Sequence, residues 1–152
     1  MVACAINEMW SDGMVDQSYK DSFFDQVRDY FNYLTSEYGF SITKQERLTS
    51  ADFADIIFQS AFCKIRVMRE WGDVFVHISP MEPKEYWLFL EDVIQYLSQG
   101  SKEVRNFRVH IPEDINYDKR VQWQLKILST LLRSYADEIF ALCSKGITFS
   151  EI

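Results

Sequence analysis

Two histidines, His77 and His110, are the only side chains in this 152-residue sequence whose ordinary pKa lies close to neutral pH, so they are the first candidates for proton transfer. Either would become a general base if a Cys or Ser hydroxyl stood beside it, and such partners need meet only in space. His77 alternates with strand-forming residues and reads as a sheet-face residue; His110 lies in a segment of weaker pattern. The three cysteines, Cys4, Cys63 and Cys143, are odd in number and widely spaced. They make no CxxC motif and no disulfide framework, and they read as buried thiols in a reducing, cytoplasmic setting. Asp114-Ile115-Asn116-Tyr117-Asp118 matches the opening of a calcium-binding EF-hand loop. The match then fails, because Lys119 stands where a glycine must turn the chain and Leu125 where a bidentate glutamate must close the site. The cluster is better read as a helix N-cap. Glu82, Glu85, Glu91 and Asp92 put four carboxylates on or beside one predicted helix. The first two suit the positive end of a helix dipole, and the last two read as a solvated face. There is no phosphate-binding loop, dinucleotide fingerprint or nucleophile elbow. The expectation is a protein that is not an enzyme, with no catalytic residue, no metal and no cofactor.

The elements around these residues follow from periodicity. Phe23, Phe24, Val27, Tyr30, Phe31, Leu34 and Tyr38 recur at helical spacing over 16–38, with Gly39 placed to end the helix. Residues 40–79 read as four antiparallel strands. The second covers 53–62, Cys63, Ile65 and Val67 mark the inner face of the third, and Glu70-Trp71-Gly72-Asp73 forms a hairpin turn. A second helix is expected over 83–98 with Pro83 in its first turn. Phe107, Val109 and Ile111 alternate and suggest a short fifth strand, and a long helix follows over 117–144. The order α-β-β-β-β-α-(β)-α makes this an α+β fold, a sheet of four or five antiparallel strands packed by three helices. Residues 1–152 read as one domain, with 1–15 as a flexible N-terminal segment.

Composition narrows the partners. Aromatic residues reach 16%, enough to fill a core and leave rings for an interface. A net charge of −7 disfavours nucleic acid and anionic membranes. Residues 1–39 hold seven acids and two bases, whereas the other 113 residues hold 16 acids and 14 bases. Asp21, Asp25 and Asp29 fall at i, i+4 and i+8, one stripe nearly opposite the apolar face. Such like-charge spacing does nothing for helix stability. It suits a solvated face, or a docking surface that steers a basic partner. Leu88, Trp123 and Ile127 fall off the main apolar stripes of their predicted helices. Either other segments of the domain cover them or they anchor a partner, which could be another protein or a second copy in a homodimer.

The run Phe31-Asn32-Tyr33-Leu34-Thr35-Ser36-Glu37-Tyr38-Gly39-Phe40 resembles the helix end and turn that open the sheet in a group of small uncharacterised bacterial α+β proteins. Leu132-Arg133-Ser134-Tyr135-Ala136-Asp137-Glu138-Ile139-Phe140, with Lys145-Gly146 and Phe149, is similar to the last helix of the same group. Some of that group look like immunity proteins, which neutralise a toxin by binding it. The resemblance therefore implies a non-catalytic protein-binding role and carries no functional residue over. A second likeness is to type III secretion chaperones, small acidic α+β proteins that hold an effector segment. In those, three strands, a helix and two strands succeed one another, whereas here four strands precede the second helix.

Overall fold

The computed structural model describes residues 17–48, 52–82, 84–101 and 104–145, and side chains of the first helix from Ser22 onward. The expected flexible segment 1–15, Cys4 and the side chain of Asp21 lie outside the described residues. The fold is α+β. Helices α1 (Gln17–Tyr30) and α2 (Asn32–Ser36) lead into strands β1 (Ser41–Leu48), β2 (Phe53–Gln59), β3 (Cys63–Glu70), β4 (Asp73–Pro80) and β5 (Leu88–Phe89). Then come α3 (Leu90–Leu97), a short 3-10 helix (Phe107–His110) and α4 (Tyr117–Ser144). The five strands form one antiparallel meander in the order β1-β2-β3-β4-β5.

The alternation in β2 to β4 produces two unlike faces. Ala54, Ile56 and Phe58 pair across to Arg69, Val67 and Ile65, which pair in turn with Val74, Val76 and Ile78, and all of these are buried. They join Phe23, Val27 and Leu34 from the N-terminal helices, Leu90 and Ile94 from α3, and Leu125, Leu128, Leu132 and Ile139 from α4 in one hydrophobic cluster. The helices thus cover this inner face, with α4 lying along β4 and β3 and α1 packed on α4.

Four segments differ from the sequence reading. The helix expected over 16–38 is interrupted at Phe31 (φ −107°, ψ 20°), where Leu34 N–H turns to the Phe31 carbonyl at 3.0 Å. The apolar stripe survives the break, since Phe31 and Leu34 are both buried. Gly39, at φ +73°, then turns the chain so that Phe40 N–H reaches back to the Leu34 carbonyl at 2.9 Å, with Phe40 packed into the core. The helix expected over 83–98 begins only at Leu90. Residues 84–87 have no regular structure and are tied by Tyr86 N–H to Ser79 Oγ at 2.8 Å, and Leu88 and Phe89 pair with Ile78 and His77 along the outer edge of β4. The fifth strand is therefore at 88–89 and not at 107–111. Phe107 and Ile111 are indeed buried, but a 3-10 turn connects them and Val109 is 75% exposed. The second strand ends at Gln59, where the Ser60 hydroxyl accepts from the Phe62 and Cys63 amides.

Candidate interaction surface

The outer face of the sheet carries a row of apolar residues, with Arg108 of the 3-10 helix lying over Phe75 at one end. Phe53 and Ile57 from β2, Met68 from β3, and Phe75 and His77 from β4 are half-buried, and Phe89 of β5 is 44% exposed. Register sets their neighbours. Met68 pairs with Phe75, and His77 with Phe89. The rings of His77 and Phe89 lie 4.7 Å apart, with Phe75 6.1 Å from Phe89 and 6.5 Å from His77. At the β1 end Leu48 is exposed opposite Phe53.

Charges on this face largely neutralise one another. Asp55 is fully buried and takes Arg66 Nε at 2.9 Å and Lys44 Nζ at 3.6 Å; Lys44 also reaches Glu46 at 3.3 Å, and Lys64 pairs with Glu85. Burial, reinforced by the Arg66 charge, pulls the His77 pKa down to about 4, so the ring is neutral at physiological pH. Its Nδ1 has no hydrogen-bond partner among the described residues.

Arg108 borders this face. Its guanidinium lies 4.5 Å from the centroids of both Phe75 and Phe107, donates to Gln124 Oε1 at 3.0 Å and to the Val74 carbonyl, and faces Glu91 at 3.5 Å. Gln124, fully buried on α4, also accepts from Val74 N–H at 3.0 Å and donates to the Gly72 carbonyl at 2.9 Å. One arginine thereby fastens the segment around 107–110 to the sheet and to α4. Glu91, read from sequence as part of a solvated face, is only 5% exposed. Desolvation raises its pKa against the opposing pull of its own backbone and Arg108. Burial likewise lowers that of Arg108.

The other singled-out residues sit as follows. Asp25 and Asp29 are exposed on α1, and Arg28 between them pairs with Asp25 at 3.5 Å and donates to Gln45 of β1, which sets the acidic stripe beside the edge strand. Leu88 belongs to β5, so helical spacing does not describe its direction; it is half-buried beside Ile78. Trp123 and Ile127 are half-buried against the core, and the Trp123 ring stacks on Phe107 at 6.2 Å and 10°. The segment after α3 therefore supplies cover at Trp123. The three apolar candidates lie on β5 and α4, and the acidic stripe on α1. His110 is exposed on the 3-10 helix. Asn116 caps α4, its side chain accepting from Lys119 N–H at 2.9 Å, so the EF-hand-like run serves as a helix start. Glu85 and Asp92 pair with Lys64 and Arg105. Among the described residues no three His, Cys, Asp or Glu side chains gather as a metal site, and no helix is long and apolar enough to cross a membrane.

Sequence reasoning missed the outer face. The available signal was the run Val74-Phe75-Val76-His77-Ile78, which carries apolar or aromatic residues on both sides of one strand. No protein-family model, curated protein or solved structure matches this chain.

Proposed function

We propose that this chain is a non-catalytic protein-binding domain of the immunity type, and that its partner docks on the outer face of the sheet. The observation that carries the reading is the Met68, Phe75, His77 and Phe89 patch on the sheet face opposite the helix-covered core. Rings held on a rigid sheet lose little freedom on binding, which is why aromatic residues supply much interface affinity. The patch is nearly neutral, whereas the acidic stripe lies by the β1 edge. Charge then steers a basic partner and the rings retain it. A cytoplasmic setting suits an inhibitor that must meet its toxin inside the cell.

The chaperone reading draws support from one feature. β1 is eight residues long and its outer edge is open among the described strands, so an extended effector segment could add to the sheet there. Lys44 and the register shift between Ile42 and Lys44 weigh against it, because charges and bulges discourage edge pairing.

The test is to purify the protein with each product of the genes flanking its own and measure complex formation by calorimetry. Phe89→Lys and Met68→Glu should abolish the complex without lowering thermal stability appreciably. Asp21→Asn, Asp25→Asn and Asp29→Asn combined should slow association and flatten its salt dependence. A complex indifferent to Phe89→Lys and Met68→Glu, or no complex with any flanking product, overturns the proposal.

A further inference from the structure

Cys63 opens β3 and Cys143 lies in the last turn of α4, yet their sulfurs stand 3.2 Å apart across 80 residues of sequence. Both thiols are free and buried, at 0% and 3% exposure. Closing a bond of ~2.05 Å requires the sulfurs to approach by about 1.2 Å, within reach of small side-chain rotations. Cys63 also borders a cleft of about 300 Å³ between Phe40, Phe62 and Phe140, from which a small oxidant needs only a local opening of these side chains to meet the buried sulfur.

We propose that Cys63 and Cys143 are a latent disulfide, a two-electron redox site that a small hydroperoxide entering this cleft closes into a covalent tie between β3 and α4. The Cys63 sulfur attacks a peroxide oxygen, the O–O bond breaks, and a sulfenic acid and one water (or alcohol) result. The Cys143 sulfur then displaces hydroxide from the sulfenic sulfur, forming the S–S bond and a second water. The two thiol protons end in those products, and the two electrons given up by sulfur reduce the peroxide. The hydrogen bond that the Cys63 thiol shares with Cys143, together with burial, holds it protonated well above the usual range. Closure is therefore slow at neutral pH and accelerates as pH rises, since the thiolate is the nucleophile.

The experiment uses the full chain carrying Cys4→Ser, which removes the third thiol. Hydrogen peroxide is added to the native protein at pH 7 and pH 9, and the products are read by intact mass, peptide mapping and thermal denaturation. The expected product is monomeric, lighter by two hydrogens, with a cross-linked peptide joining residues 63 and 143. Its Tm should be higher by roughly 5–10 °C, because the tie closes a long loop in the unfolded chain. Dithiothreitol should reverse both changes, and adding Cys143→Ser should abolish them. Oxygen added to either cysteine without a cross-link, disulfide-linked dimers, or two thiols still reduced after prolonged treatment at pH 9 would each overturn the proposal.

Discussion

Replacing Gln124 with methionine isolates the polar clasp, since it keeps side-chain length and approximate volume while removing every hydrogen bond the amide makes. Four are lost: from Val74 N–H at 3.0 Å, from Arg108 Nε at 3.0 Å, to the Gly72 carbonyl at 2.9 Å and to the Arg120 carbonyl at 3.2 Å. The last contributes little, since that carbonyl belongs to the same helix. The two neutral bonds to the hairpin cost about 1 kcal/mol each, and the bond from the guanidinium about 1.5–3 kcal/mol, because the abandoned groups stay buried. Gln124→Met should therefore lower the unfolding free energy by about 3–5 kcal/mol and Tm by roughly 8–15 °C. Urea denaturation followed by circular dichroism measures the first quantity, and an unchanged m-value shows that the folded and unfolded states remain comparable. Arg108→Met and the double variant complete a cycle with a coupling of about 1–2 kcal/mol. A loss below about 1 kcal/mol for Gln124→Met, or strictly additive single variants, would refute the claim that this amide fastens the β3–β4 hairpin to α4.

The lowered His77 pKa makes stability fall with acid. The unfolded ring takes up its proton near 6.5 and the folded one only near 4, so the contribution is full above pH 6.5 and is lost as pH falls through that interval. At 1.36 kcal/mol per pH unit the ceiling is about 3 kcal/mol, and solvent screening of a half-exposed ring reduces it to about 1 kcal/mol. His77→Gln should flatten this part of the pH–stability profile, and an unaltered slope would count against the assignment. Trp71, 68% exposed, adopts φ +51° beside Gly72 at +82° in a two-residue hairpin turn. Asparagine tolerates that conformation better, so Trp71→Asn should raise stability by about 0.5–1 kcal/mol; a loss would mean that the indole packs productively. Trp123→Ala removes the stack on Phe107 and should cost about 2–3 kcal/mol in thermal or urea unfolding. A cost near zero would instead free that ring to act as a partner anchor.

What could be read from the sequence was what local periodicity determines. The stripe of α1, the inner alternation of β3 and β4, and an N-cap for α4 at Asn116 or Asp118, which falls on Asn116, each follow from residues within a few positions of one another. What escaped depends on partners distant in sequence. Leu88 and Phe89 lie in a pattern that fits a helix, and only the open edge of β4 draws them into a strand. Val109 alternates with buried Phe107 and Ile111 yet points to solvent, because Arg108 between them turns toward the Val74 carbonyl and Gln124. Glu91 and Gln124 look like surface residues until Arg108 is brought to both. The two thiols 80 residues apart could not have been paired on spacing. Half-burial on the outer face was equally hidden, since alternation says that two faces differ but not that both are apolar.

The meander pairs each strand with its neighbour in sequence, so the sheet needs only short loops to close. Its lid is of another kind. α4 is the last described helix, and it meets α2 and the turn after it through Tyr33 to the Ser129 carbonyl and Tyr38 to Asp137, contacts spanning 96 and 99 residues. On the ribosome, therefore, the five strands can pair before α4 has emerged, and the part of the inner face along β4 and β3 that α4 covers still meets water during that interval. For that interval the nascent chain presents apolar surfaces on both sides of one sheet, only one of which the finished protein retains. A holdase that shields hydrophobic sheets would have its greatest effect on this chain in that window.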